Sequence, residues 1–162
     1  MKSFVKTVLL TWLIAGTLDI TSAYIDQYIK TGKFADKMLY YIAGGALGLG
    51  KSMQGGFWIG VLGMACHYFI ALSFVLLFFL LYPVLKLQRV NKFLLALLYG
   101  PFIGLFMRFL VLPLSKLPLN PFNIGKAWIG WLILSVAIGL PCAIMAPRYY
   151  AKHPWVRSQE LG

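Results

Sequence analysis

Acidic side chains are nearly absent: in 162 residues only Asp19, Asp26, Asp36 and Glu160 carry a carboxylate. No cluster of carboxylates exists for paired acid–base work, and no Ser/His/Asp or Cys/His set stands out as a nucleophilic centre, so an enzyme is not expected. Cysteine is equally scarce. Cys66 and Cys142 each sit in an apolar run with no CxxC pairing, which excludes thiol exchange and zinc binding of that type and leaves them as small packing residues. His67 and His153 are the only histidines, too few for a haem or metal site within one chain, so no cofactor is expected. Charge of either sign makes up just 12% of the residues against 60% hydrophobic, which excludes a water-soluble domain.

What is present is long apolar sequence. Runs at 8–29, 57–82, 93–114 and 127–147 are each long enough to cross a ~30 Å hydrocarbon core, so the chain reads as an all-α polytopic membrane protein, a single membrane domain over 1–162. Trp12, Tyr28, Trp58, Tyr82, Tyr99, Trp128 and Tyr149 fall near the proposed ends, where amphipathic rings favour the headgroup zone. The 38–49 stretch is apolar but too short to cross and is expected to be an interfacial or re-entrant helix. A fifth crossing there would carry Lys51 and Gln54 into lipid. Lys2 and Lys6 before an apolar run also fit a signal peptide, but Asp19 and the renewed apolar character from Ile20 favour a retained helix.

The net charge of +11 is scattered between apolar runs, which points to anionic lipid headgroups and not to nucleic acid. Four spans with an internal N-terminus put Lys2, Lys6, Lys86, Arg89, Lys92, Arg148, Lys152 and Arg157 in the cytoplasm, and Lys30, Lys33, Lys37, Lys51, Lys116 and Lys126 opposite. That excess favours cytoplasmic termini.

Small and polar residues recur at helical spacing: Thr11, Ala15, Asp19, Ser22 and Asp26 in the first run, and Gly56, Gly60, Gly63, His67 and Ala71 in the second. Gly100, Gly104 and Arg108 mark the third, and Ala127, Trp131, Ser135, Gly139, Cys142 and Ala146 the fourth. Helices in lipid associate through small residues and interhelical hydrogen bonds, so these stripes predict the bundle interior, with Gly56, Gly60, Gly63, Gly100, Gly104 and Gly139 as packing positions. Asp19 and Arg108 are costly in lipid; depth along the spans predicts that they meet His67 in the outer half, with Ser135 in the same polar network. Pro101, Pro113 and Pro141 predict kinks or openings, and Pro113, Pro118 and Pro121 an irregular connection over 112–122. Gly45-Ala46-Leu47-Gly48-Leu49-Gly50-Lys51-Ser52 matches the phosphate-loop pattern, but membrane helices follow it where a nucleotide fold needs a sheet and an acidic magnesium partner. A glycine-rich interfacial turn is expected there, and no nucleotide.

Ala15-Gly16-Thr17-Leu18-Asp19-Ile20, Ile42-Ala43-Gly44-Gly45, Gly55-Gly56, Leu62-Gly63, His67-Tyr68-Phe69-Ile70-Ala71, Tyr99-Gly100 and Val111-Leu112-Pro113-Leu114-Ser115 form a series across most of 13–147. Together they resemble a family of small bacterial inner-membrane proteins, more distantly the YagU type. The resemblance implies four helices in a bacterial inner membrane without an established activity; the YagU type is loosely linked to acid tolerance. Asp19 and His67 fall on motif positions, whereas Met107-Arg108 replaces a neutral asparagine after methionine. The sequence thus leads to a structural or interaction component, alone as a homo-oligomer or beside another membrane protein. The alternative is a small homo-oligomeric proton- or cation-coupled transporter or channel.

Overall fold

A computed structural model describes residues 2–119, 121 and 124–152, the side chains of Lys2 and Lys126 excepted. His153, Arg157, Glu160 and Gly162, and Asn120 and Phe122 of the 112–122 connection, lie outside the described residues. No strand occurs among those described. Helix α1 (Lys2–Thr31) is followed by α2 (Met38–Leu47), α3 (Leu49–Ser52) and α4 (Phe57–Val84). Then come a 3-10 turn at Leu87–Arg89, α5 (Lys92–Phe106), α6 (Leu112–Leu114), α7 (Ile124–Leu134) and α8 (Leu140–Tyr150).

Four helical segments are long and apolar enough to cross a membrane: Ser3–Thr31, Phe57–Val84, Lys92–Leu114 and Ala127–Tyr150. They coincide with the four apolar runs and extend past their ends, because a helix continues into the headgroup zone until its backbone groups find water. The third and fourth spans are continuous helices with a π turn inserted, at Met107–Val111 between α5 and α6 and at Ser135–Gly139 between α7 and α8.

Both π turns stand immediately before a Leu-Pro pair, Leu112-Pro113 and Leu140-Pro141. A proline in a helix lacks its N–H and crowds the carbonyl four residues back. Widening the preceding turn relieves that crowding, and the amides of Leu112 and Leu140 bond five residues back, to the Met107 and Ser135 carbonyls.

The first span packs on the second and the fourth, and the third packs along the fourth. Large rings link the second and third spans: the Phe78 and Tyr99 centroids are 4.8 Å apart, and the Tyr99 hydroxyl donates to the Phe74 carbonyl at 2.6 Å. The core therefore grades from small residues at Ala15 and Ala71 to aromatics at Phe74, Phe78, Phe79 and Tyr82. Tyr82, Tyr99 and Tyr149, expected at the membrane surface, are buried in this aromatic core, while Tyr28, Trp58 and Trp128 are exposed.

The short helix α2 lies against the second span. A Cβ on Gly63 would collide with the Leu39 carbonyl, so glycine lets the two backbones touch. The amide of Lys116 donates to the Gly45 carbonyl at 2.9 Å, tying α2 to the connection after the third span. The phosphate-loop-like segment is thus a helix, a turn at Gly48 (φ 85°) and the single-turn α3, with Ser52 fully buried. Residues Leu112–Leu114 of the connection expected to be irregular are helical, and the backbone becomes extended only at Ser115.

Candidate functional site

The first and second spans meet at Gly16, where a Cβ would come within 2.8 Å of the Tyr68 ring. That close approach sets up a compact polar contact. The His67 Nε2 lies 2.9 Å from the Gly16 carbonyl oxygen, and because a carbonyl only accepts, Nε2 carries the donating proton. In the neutral ring Nδ1 is then the acceptor. Trp12 donates through Nε1 to the Tyr68 carbonyl at 2.7 Å, and the Thr17 and Tyr68 hydroxyls share a hydrogen bond of 2.9 Å. Asp19, half-buried one turn beyond Gly16, lies within electrostatic reach of His67. It accepts no hydrogen bond and forms no ion pair among the described residues, where Lys30–Asp26 at 2.6 Å is the one ion pair.

Asp19 and His67 are therefore brought together, but the Asp19–Arg108 pair is not made. The physical reason is that the first and third spans share no extended interface, so nothing brings the two side chains together. Half-buried Arg108 engages a partner of its own.

Ser135 is likewise separate from Asp19 and His67. It is buried between the third and fourth spans and donates to the carbonyls of Trp131 at 2.9 Å and Leu97 at 3.2 Å. Leu97 is four residues before Pro101, so its carbonyl lacks the normal helical donor, and Ser135 supplies one from the neighbouring span. Phe79, four residues before Pro83, is served in the same way by the Tyr150 hydroxyl at 2.7 Å. These two clamps were not foreseen from sequence. Their signal is a helical proline whose freed carbonyl faces a hydroxyl, and that facing depends on which helices are neighbours.

The six glycines divide by what a Cβ would meet. At Gly100 it would collide with Ser135 and the Trp131 carbonyl, at Gly104 with the Trp131 ring, and at Gly139 with the Ala96 backbone. Gly63 is the contact with Leu39 described above. Gly56 is not a packing position: open space surrounds it, and its φ of 112° as the residue preceding α4 is what requires glycine. Gly60 makes only an ordinary contact with the Tyr40 ring at 3.7 Å, because α2 crosses the second span nearer Gly63.

Among the described residues no group of three or more His, Cys, Asp or Glu side chains could hold a metal ion. Comparison with protein-family models, curated proteins and solved structures finds no match.

Proposed function

We propose that the chain is a structural or interaction component of a bacterial inner membrane, assembling with itself or another membrane protein, and not a catalyst. One observation carries this reading: apart from the Thr17–Tyr68 hydroxyl pair, the side-chain donors described above that cross between spans end on backbone carbonyls. Trp12, His67, Tyr99, Ser135 and Tyr150 each reach a carbonyl of another span. Such bonds hold helices in register. The basic-residue excess supports cytoplasmic termini, and the family resemblance agrees with an inner-membrane location. Crosslinking and pull-down from native membranes should return a reproducible self-contact or partner protein; only non-specific neighbours at every crosslinker length would argue against an interaction role.

A second reading, proton- or cation-coupled transport, is favoured by Asp19 beside His67 within the spans. In proteoliposomes with a pH-sensitive dye, the structural role predicts no protein-dependent flux. Flux that disappears in Asp19→Asn would replace it with transport.

A further inference from the structure

We propose that the second and third spans form a site for one anionic phospholipid, with an acyl chain in the groove between them and the headgroup on the basic 86–92 connection. The inference stands whether the chain is structural or transports. The groove exists because Phe78 and Tyr99 hold the two spans apart, leaving a space of about 220 Å³ walled by Leu81, Leu85, Leu98 and Phe102. From Leu95 to Phe102 its lining runs seven residues along α5, about 10 Å at 1.5 Å per residue, which is roughly two thirds of the depth of one leaflet.

Charge at the mouth selects the occupant. Lys86, Arg89 and Lys92 are all exposed on the connection that carries the groove-lining Leu85 and Leu87 into α5, Lys86 held in a left-handed conformation (φ 50°) at the start of the 3-10 turn. The acids among the described residues, Asp19, Asp26 and Asp36, all lie in the first span or the connection after it. A zwitterionic lipid would fill the groove equally well, but only a net-negative headgroup balances these cations. Neither groove has a basic side chain in its own lining, but the one proposed here has Leu85 and Leu87, the chain neighbours of Lys86, in its wall, whereas the other lateral groove, between Trp12, Leu13, Val61 and Phe69, adjoins no basic turn. Apolar shape alone does not distinguish the two; the basic turn does.

Native mass spectrometry of the full chain in detergent, with phosphatidylglycerol and phosphatidylcholine of matched acyl chains, tests this. One phosphatidylglycerol should be retained in preference, and the preference should fall about fivefold for each of Lys86→Gln, Arg89→Gln and Lys92→Gln. The control Lys33→Gln/Lys37→Gln/Lys51→Gln should keep it. Leu98→Trp, at a position 58% exposed and so tolerant of a larger side chain, should reduce retention of both lipids by filling the groove. Circular dichroism verifies the fold of each variant, and the single Lys33→Gln serves as the control if the triple variant fails to fold. Equal retention of the two lipids by the wild type, an equal loss in the control, or full retention by Leu98→Trp would each overturn the site.

Discussion

A carbonyl buried in a lipid-facing bundle has no water to turn to, so a helical proline creates a debt that a specific side chain must meet. Ser135 and Tyr150 meet two of them, at Leu97 and Phe79. Ser135→Ala is expected to cost about 1 to 2 kcal/mol, the range for an interhelical hydrogen bond whose loss strands a buried acceptor. In a Pro101→Ala background the same change should cost distinctly less, because the restored amide at 101 can bond Leu97 itself. Unfolding of the four species in detergent gives the cycle, and an undiminished cost in the second background would refute the clamp. Asp19 and Arg108 call for the opposite result. With no ion pair between them, Asp19→Asn and Arg108→Gln should be additive to within about 0.5 kcal/mol, and a larger coupling would show that they meet after all.

Whole helices are positioned by where backbones touch. At Gly63 an added methyl has only the rigid Leu39 carbonyl to displace, so Gly63→Ala should lose about 1 to 3 kcal/mol by overpacking and loosen α2 from the second span. Gly130, helical and with open space around it, should respond in the other direction. Gly130→Ala should be neutral or stabilise by up to about 1 kcal/mol through helix propensity. Thermal unfolding of both variants in the same detergent tests the contrast, and similar effects at the two positions would contradict it. The π turns belong to this scale as well. Each lets a Leu-Pro pair remain inside a span without ending it, and each re-aims the side chains beyond it.

For the molecule as a whole, an even number of crossings returns the chain to the side on which it began. A reporter fused at Gly162 should therefore report the compartment of the N-terminus, which the basic-residue excess predicts to be the cytoplasm. Strong activity of a periplasm-dependent reporter there would reverse the orientation. The four spans and the short apolar helix were legible in the sequence because the signal is local: a lipid core demands about twenty consecutive apolar residues wherever a helix crosses it. The polar site was legible in part. Asp19 and His67 lie on stripes whose phase is undisturbed in the first and second spans, and they come within electrostatic reach of each other without a hydrogen bond or ion pair between them.

Arg108 and Ser135 could not be placed by the same logic. Stripe reading puts Arg108 on the face of Gly100 and Gly104 but does not say which span that face meets, and the first and third spans share no extended interface. Ser135 kept an interior position but faces the third span, since no periodicity states which helix will be the neighbour. Hydropathy along the chain thus determined the spans and the small-residue faces. Which faces meet, which carbonyls the prolines leave to be satisfied, and where a groove opens between spans were decided only by packing, because helices in lipid choose partners by shape and by interhelical hydrogen bonds that are not encoded in any one segment.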